Sequence, residues 1–391
     1  MSAGEQPTPP RVLVAGGGTG GHVFPSLAVA SALRDAGLDV EFVGTARGLE
    51  SRLVPDAGWT LHEVEARPLS RKLSPATLRL PLVLVRATRR VTGLIAERDI
   101  AAACVFGGYV SVPLTLAARR TRTPLVVHEQ NAVPGLANRL AAQWAEAVAV
   151  SVPGTEERFR DRDRVVLTGN PVRPGFGDFD RAATRPDALA AFDLEPDRRT
   201  LLVFGGSQGA RKLNDAVLGS LAHWSEPGHL QILHAAGRAD HERVRAGWET
   251  ALAAHDGEVP LVRCHGFIAA METAYAAADV VACRAGASTI AELTVLGLPS
   301  VLVPYPHATD DHQTANARAL ADAGAAKLLP DGWLAPKSLV GMSEPWLNDD
   351  AARREAGAAA KALGRPDAAE RVARLVARAA RRTRAGREGR P

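Results

Sequence analysis

Residues 16–22, Gly16-Gly17-Gly18-Thr19-Gly20-Gly21-His22, place five glycines, a threonine and a histidine after the apolar run 12–15 and before a stretch, 24–37, that reads as a helix. Glycine tolerates positive φ and lets another group approach the backbone closely. A helix N-terminus behind such a turn presents N–H groups and the positive end of the helix dipole, a setting for an anion such as a diphosphate. His22 can carry a proton near neutral pH. One loop therefore offers an anion cradle and an acid or base. Gly16, Gly18 and Gly21 also satisfy G-x-G-x-x-G, with Asp39 or Glu41 near the spacing of a ribose-binding acid, so a dinucleotide site is an open alternative.

The pattern returns in the second half, where 200–204 is apolar and Gly205-Gly206-Ser207-Gln208-Gly209-Ala210 follows it. Phe106-Gly107-Gly108-Tyr109-Val110-Ser111 is a further glycine turn, offering backbone donors for a second phosphate or merely a tight strand-to-helix connection. His128-Glu129-Gln130-Asn131 closes an apolar run, and four polar side chains at a strand's carboxyl end are expected to face a ligand; a surface loop capping the next helix is the plainer reading. Gly169-Asn170-Pro171-Val172-Arg173 carries an arginine able to clamp a phosphate or base, or to make a linker salt bridge. Thr289-x-x-Glu292 fits a capping box, against the alternative of a carboxylate on two ribose hydroxyls. His307, Asp311 and His312 fit no common metal-ligand spacing.

These residues need a scaffold, and the apolar runs supply one. Runs at 12–15, 40–43, 102–106, 125–128, 147–150 and 165–167, then 200–204, 231–235, 261–264, 280–283, 300–303 and 326–328, read as strands with helices between most of them. Alternating β and α implies parallel sheets covered on both faces. The opening motif occurs in both halves, so the expected fold class is α/β with two Rossmann-like domains, 11–170 and 200–365, joined at 171–199 by a proline-rich linker plus a small helix. A C-terminal helix near 370–385 packs back on the first domain in this reading. Ligands of open α/β sheets bind at the carboxyl ends of strands, which puts the expected site in an interdomain cleft.

At 391 residues two domains are natural, and 46% hydrophobic with 23% charged residues is ordinary for a globular protein. Cys104, Cys264 and Cys283 have no metal or disulfide spacing and read as reduced thiols in a cytoplasmic protein. No signal peptide is visible. The uncharged run 100–118 is about long enough to span a bilayer, but Gly107, Gly108 and Pro113 make it strand, turn and helix. The net charge is only +4, yet Arg71, Lys72, Arg79, Arg86, Arg89 and Arg90 cluster, and the tail from Arg371 to Arg390 is arginine-rich. No aromatic stacking platform or DNA-reading motif accompanies them, so nucleic acid is not the expected partner. Residues 69–96 mix apolar side chains with the cluster, as does a helix lying on an anionic membrane, or a core-facing helix with a solvated basic face.

Gly17–His22, Gly107–Ser111, His128–Asn131, Gly169–Arg173, Gly205–Ala210 and Ala285-Gly286-Ala287 to Glu292 occur in the order seen in the MurG family of N-acetylglucosaminyltransferases. The resemblance runs from about Arg11 to about Leu375, and six ordered motifs are far more specific than one glycine loop. It implies a GT-B fold and an inverting hexosyltransferase that moves N-acetylglucosamine from UDP-N-acetylglucosamine to undecaprenyl-diphospho-N-acetylmuramoyl-pentapeptide (lipid I), forming lipid II in peptidoglycan synthesis. The second half would hold the donor, with Ser207, Gln208 and the loop around them on the diphosphate, Ile268 on uracil and Glu292 on the ribose. Thr19, Gly20, Gly21, Asn131, Arg173, His312 and Gln313 would complete that site. Gly18, Gly107, Gly108 and Tyr109 would hold the acceptor diphosphate. His22 is the implied base, with Glu129 as rival.

The resemblance implies no required cofactor, leaving a divalent cation open, and peripheral placement on the cytoplasmic side of the cell membrane. An anionic inner membrane surface and proteins of cell-wall and division complexes are the implied partners. Two departures stand out. His312-Gln313 replaces the two adjacent glutamines of some family members, and Val112 stands where a glycine is common. A flavin or nicotinamide oxidoreductase remains the rival enzyme class, although Gly205-Gly206-Ser207-Gln208 does not match the dinucleotide fingerprint. A nucleotide-sugar sensor without turnover is the rival binding protein.

Overall fold

Most of the apolar runs become strands buried on both faces, which is why they lack alternation; those at 165–167, 261–264 and 326–328 lie at sheet edges and are only partly buried. β1 (Arg11–Ala15), β2 (Asp39–Gly44), β3 (Thr60–Glu63), β4 (Ile100–Val105), β5 (Leu125–Glu129), β6 (Ala147–Val150) and β7 (Val165–Leu167) form a seven-stranded parallel sheet in the order β3-β2-β1-β4-β5-β6-β7. β8 (Arg199–Phe204), β9 (Leu230–Ala235), β10 (Leu261–His265), β11 (Val280–Cys283), β12 (Ser300–Leu302) and β13 (Ala326–Leu328) form a six-stranded parallel sheet in the order β10-β9-β8-β11-β12-β13. This computed structural model describes residues 9–66, 80–173, 175–177, 179–206 and 209–388. The chain divides into two units, residues 1–174 with 365–391 and residues 175–364.

Helices α1 (Gly20–Asp35), α2 (Glu50–Asp56), α3 (Leu80–Glu97), α4 (Ser111–Thr121) and α5 (Leu136–Ala142) connect the strands of the first unit. α1 starts four residues earlier than the apolar pattern suggests, because the glycines at 20 and 21 form its first turn. The run 100–118 resolves into β4, a turn and α4, and among the described residues no helix is long and apolar enough to cross a membrane. The sequence reading lacks β3, a short edge strand whose Thr60, His62 and Glu63 carry no apolar signal.

The second unit contains α6 (Arg181–Ala191), α7 (Arg211–Leu218), α8 (His241–Ala253), α9 (Met271–Ala277), α10 (Ala287–Leu296), α11 (His312–Asp322), α12 (Pro336–Asn348) and α13 (Asp350–Leu363). Residues 175–199, whose prolines suggest a linker, belong to this unit. Arg181 and Arg185 of α6 donate to the last carbonyls of α9, and Arg185 pairs with Asp279 at 2.8 Å. The chain then returns: α14 (Ala368–Glu388) packs on α1 and β4, with Val372, Val376 and Ala380 fully buried in the first unit's core.

Strand order reverses between β1 and β4 in one sheet and between β8 and β11 in the other. Loops at such a switch point diverge to opposite faces and leave a crevice at the strands' carboxyl ends. The described loop residues leaving these four strands are 16–19, 106–110, 205–206 with 209–210, and 284–286. The glycine motifs that follow β1, β4, β8 and β11 therefore stand at switch points, whereas Gly169–Arg173 follows the edge strand β7.

Candidate active site

In the first unit the two glycine turns interlock. Gly18, Gly107 and Gly108 have φ of +87°, +91° and +76°, a region that only glycine enters without strain. A Cβ on Gly108 would stand 2.8 Å from Gly17 O, and one on Gly107 would stand 3.2 Å from both His22 Nε2 and Asn138 Nδ2. His22 thus sits where the turns cross. Its Nδ1 lies 3.2 Å from Gly17 O and 3.3 Å from Thr19 Oγ1. Thr19 is the N-cap of α1 in extended conformation with no side-chain cap bond, so the first amides of that helix keep their anion-binding character. Beside them is a cavity of about 500 Å³ whose walls include Gly18, Thr19, His22, Arg47, Gly108 and Tyr109.

Behind this cavity, His128, Glu129 and Gln130 are buried, not ligand-facing as their position suggested. Gln130 Nε2 donates to His128 Nδ1 at 3.0 Å and to Phe106 O at 2.9 Å. His128 Nε2 then donates to Gly169 O at 3.1 Å. Burial pushes the His128 pKa down to about 4, so the ring is a neutral strut between β5 and the Gly169 turn. Glu129 accepts from the backbone N–H and side-chain amide of Asn131 with one oxygen, and from Gly135 N and Asn138 Nδ2 with the other. Burial raises its pKa against these bonds. With both oxygens tied into its own loop, Glu129 holds Asn131 and Asn138 in place. Arg173 lies over the Phe24 ring at 5.9 Å.

The dinucleotide alternative loses its ribose acid. Asp39 opens β2 and pairs with Arg11 at 3.0 Å. Glu41 lies in the amino-terminal half of β2, bonded by Arg98, His62 and Arg11. Burial would raise its pKa, but the Arg98 and His62 bonds outweigh this and hold it low. Neither carboxylate stands at the strand's carboxyl end, where a ribose would lie.

In the second unit, Gly206 and Gly209 have φ of +88° and +73°, and a Cβ on Gly209 would meet Ala236 O at 2.8 Å. Ser207 and Gln208 lie outside the described residues. Beneath α7, Trp248 Nε1 donates to His234 Nδ1 at 3.1 Å, and His234 Nε2 to Asn214 Oδ1 at 3.0 Å. Asn214 Nδ2 reaches Ala236 O and Asp240, so this network fixes the helix that follows the loop. Ile268 is buried after β10. α10 has Gly286 as N-cap, so Thr289 cannot be one and the capping-box reading fails. Glu292 instead accepts the Tyr275 hydroxyl at 2.9 Å. Gln313 Oε1 accepts Tyr305 N–H at 2.9 Å, and His312 Nδ1 donates to Thr309 O at 2.7 Å. These two residues open α11 behind Asp310 and Asp311, both at positive φ. Among the described residues no group of three or more His, Cys, Asp or Glu could hold a metal ion.

Sequence reasoning did not single out Glu50, Asn138, Asn214 or Tyr275. Glu50 follows the carboxyl end of β2, a position that could have flagged it. Tyr275 lies in an alanine-rich helix with no motif around it.

Residues 12–150 match the glycosyltransferase family 28 N-terminal domain and residues 200–372 its C-terminal domain. A protein of a Nocardioides species named UDP-N-acetylglucosamine–N-acetylmuramyl-(pentapeptide) pyrophosphoryl-undecaprenol N-acetylglucosamine transferase is 45% identical over 371 residues, 94% of this chain and 97% of its own length. A Mycobacterium protein of the same name is 41% identical over 385 residues, covering 97% and 98%. The crystal structure of Acinetobacter baumannii MurG superposes with a TM-score of 0.77 at 32% identity, covering 95% of this chain and all of that one. The two parallel-sheet units are the GT-B fold, and the chain belongs to the MurG family of glycosyltransferase family 28.

Proposed function

We infer that this chain transfers N-acetylglucosamine from UDP-N-acetylglucosamine to the 4-hydroxyl of the muramoyl sugar of lipid I, forming lipid II with inversion. The observation that carries this reading is the placement of four of the five glycine-bearing motifs at the two switch points, with His22 where two of them cross. Relatives at 39–45% identity over nearly their whole length bear the name of that activity.

In this reading the first unit takes the acceptor. The turns carrying Gly18, Gly107 and Gly108, with Tyr109, receive its diphosphate on backbone N–H groups and the N-termini of α1 and α4. The second unit takes the donor. Ser207, Gln208 and the adjacent amides hold the UDP diphosphate, Ile268 presents its backbone to uracil, and Glu292 accepts the ribose hydroxyls. His312 and Gln313 serve the sugar side, completed by Thr19, Gly20, Gly21, Asn131 and Arg173 of the first unit. His22 Nε2 takes the proton of the 4-hydroxyl as its oxygen attacks the anomeric carbon. The bond from that carbon to the diphosphate breaks, and UDP leaves with the electron pair. Preorganised amides stabilise the charge developing on the departing diphosphate.

A lipid-linked acceptor requires work at a membrane surface, on the cytoplasmic side in this reading. Leu82 and Val85 of α3 are 54% and 46% exposed, and Arg86, Arg89 and Arg90 on the same helix are exposed. An apolar strip beside cations suits an anionic bilayer. Arg71, Lys72 and Arg79 lie outside the described residues.

The deciding experiment is a transfer assay with UDP-N-acetylglucosamine and a short-chain lipid I analogue. A lipid II analogue is the expected product. Transfer only from another sugar nucleotide overturns the donor assignment, and UDP-sugar binding without turnover favours a sensor.

A further inference from the structure

One buried carboxylate beside the first glycine loop has no part in the chemistry above. Glu50 opens α2 and is 1% exposed. Its Oε2 accepts the Gly18 N–H at 2.9 Å. Its Oε1 accepts the Thr45 N–H at 3.1 Å and the Thr45 hydroxyl at 2.8 Å. Three glycines make room for it. A Cβ on Gly17 would stand 2.7 Å from its carboxyl carbon, one on Gly44 would stand 2.6 Å from its Cγ, and one on Gly48 would overlap the carboxylate.

The peptide unit joining Gly17 to Gly18 is held at both ends. Its N–H donates to Glu50, and its carbonyl oxygen lies 3.2 Å from His22 Nδ1. A carbonyl oxygen only accepts, so in the Gly17 contact Nδ1 is the donor, and a neutral ring making that contact carries its lone pair on Nε2. A carboxylate accepting from the amide N–H shifts electron density toward the carbonyl oxygen, and hydrogen bonds in such a chain strengthen one another. Histidine in other sites is oriented and made more basic by an acceptor on its second nitrogen.

We propose that Glu50 is a positioning residue of the transfer reaction, acting on His22 through the Gly17–Gly18 peptide. It fixes the Nδ1-protonated tautomer and raises the proton affinity of Nε2. The proposal rests on the reading of His22 as base. The hydroxyl proton passes to Nε2 as the new glycosidic bond forms and the bond to UDP breaks. The resulting imidazolium keeps its Nδ1 hydrogen on Gly17 O, and Glu50 itself takes no proton. Among the described residues, the other titratable or charged groups around His22 include Arg47 and Tyr109 in the shared cavity, His128 on β5, and Glu129, which reaches Asn138 beside the ring.

The test is the pH profile of kcat for Glu50→Gln with saturating UDP-N-acetylglucosamine and a short-chain lipid I analogue. Glutamine keeps the shape but turns one acceptor into an NH2 donor. The expected result is a loss of about tenfold in kcat near neutral pH, an unchanged KM for the donor, and an acid limb displaced to lower pH. An acid limb that stays in place overturns the proposal, whatever happens to kcat. Should the variant not fold, the imidazole nitrogen-15 shifts of His22 in the unmodified enzyme decide, measured above the acid limb. An Nδ1-protonated ring supports the relay and an Nε2-protonated ring overturns it. His22→Ala separates the layers: retained turnover removes the base reading and the relay with it, whereas lost turnover beside an unmoved Glu50→Gln limb removes the relay alone.

Discussion

The Tyr275 hydroxyl donates to Glu292 Oε2 at 2.9 Å, across 17 residues of sequence and between two helices. Both side chains are buried, so this bond sets the rotamer of the carboxylate assigned to the ribose. Phe176 and Phe204 pack edge-on against the Tyr275 ring, so Tyr275→Phe removes the hydroxyl and keeps the packing. One hydrogen bond to a carboxylate is worth about 1.5–3 kcal/mol. KM for UDP-N-acetylglucosamine should rise about tenfold with kcat nearly unchanged. Glu292→Ala should raise it further. Equal donor KM values for Tyr275→Phe and the parent enzyme would remove the ribose assignment's support.

His22 touches both glycine turns of the first unit, so its removal tests the proposed proton transfer while leaving the second unit, to which the donor is assigned, intact. A positioned general base contributes roughly 10²–10⁴ in rate. His22→Ala should lose kcat on that scale while still binding UDP-N-acetylglucosamine, read by calorimetric titration. Parallel loss of nucleotide binding would mean that His22 supports the fold and not the proton transfer.

How far these features could be read from the sequence depended on whether their cause was local. Continuous apolar runs ending in glycine identify β1, β4 and β8 because a strand buried on both faces has no polar alternation and its turn needs positive φ. β3 escaped because an edge strand can be polar. A small helix is legible in the proline-rich stretch despite Pro186 inside it, but its attachment to α9 through Arg181 and Arg185 involves residues far along the chain. The polar group at 128–131 suggests a ligand-facing cluster, yet Glu129 satisfies its own loop while His128 and Gln130 brace the Gly169 and Phe106 carbonyls. Glu50 and Tyr275 are invisible in one dimension because each acts on a residue brought to it by the fold.

The α3 surface makes a prediction about membranes. Arg86, Arg89 and Arg90 are exposed beside Leu82 and Val85, and each basic residue near an anionic leaflet is worth about 1 kcal/mol. Replacing all three with glutamate should weaken binding to phosphatidylglycerol vesicles by about a hundredfold or more. Transfer to a short-chain acceptor in solution should be retained. Vesicle binding equal to that of the parent protein would place the docking surface elsewhere.

Stability should fall as pH drops from neutral, and the sign follows from two buried histidines. Burial lowers His128 and His234 to about 4, from an ordinary value of 6.5. Both rings stay neutral in the fold, while the unfolded chain binds a proton on each below about pH 6.5. Their contribution is complete above that pH, is lost as pH falls toward 4, and levels off once the folded rings also protonate. The loss approaches about 3 kcal/mol per histidine. Glu129 works in the opposite sense, because its raised pKa penalises the fold when it is ionised and the penalty lifts in acid. Asp240, held down to about 2 chiefly by Arg243, adds its loss only below about pH 4. His128 belongs to the first unit and His234 to the second, so urea denaturation followed by a probe in each should show both midpoints dropping between about pH 7 and 5. A stability that is flat or rising over that interval would mean that the two rings are charged in the folded enzyme, and the neutral strut between β5 and the Gly169 turn would have to be abandoned.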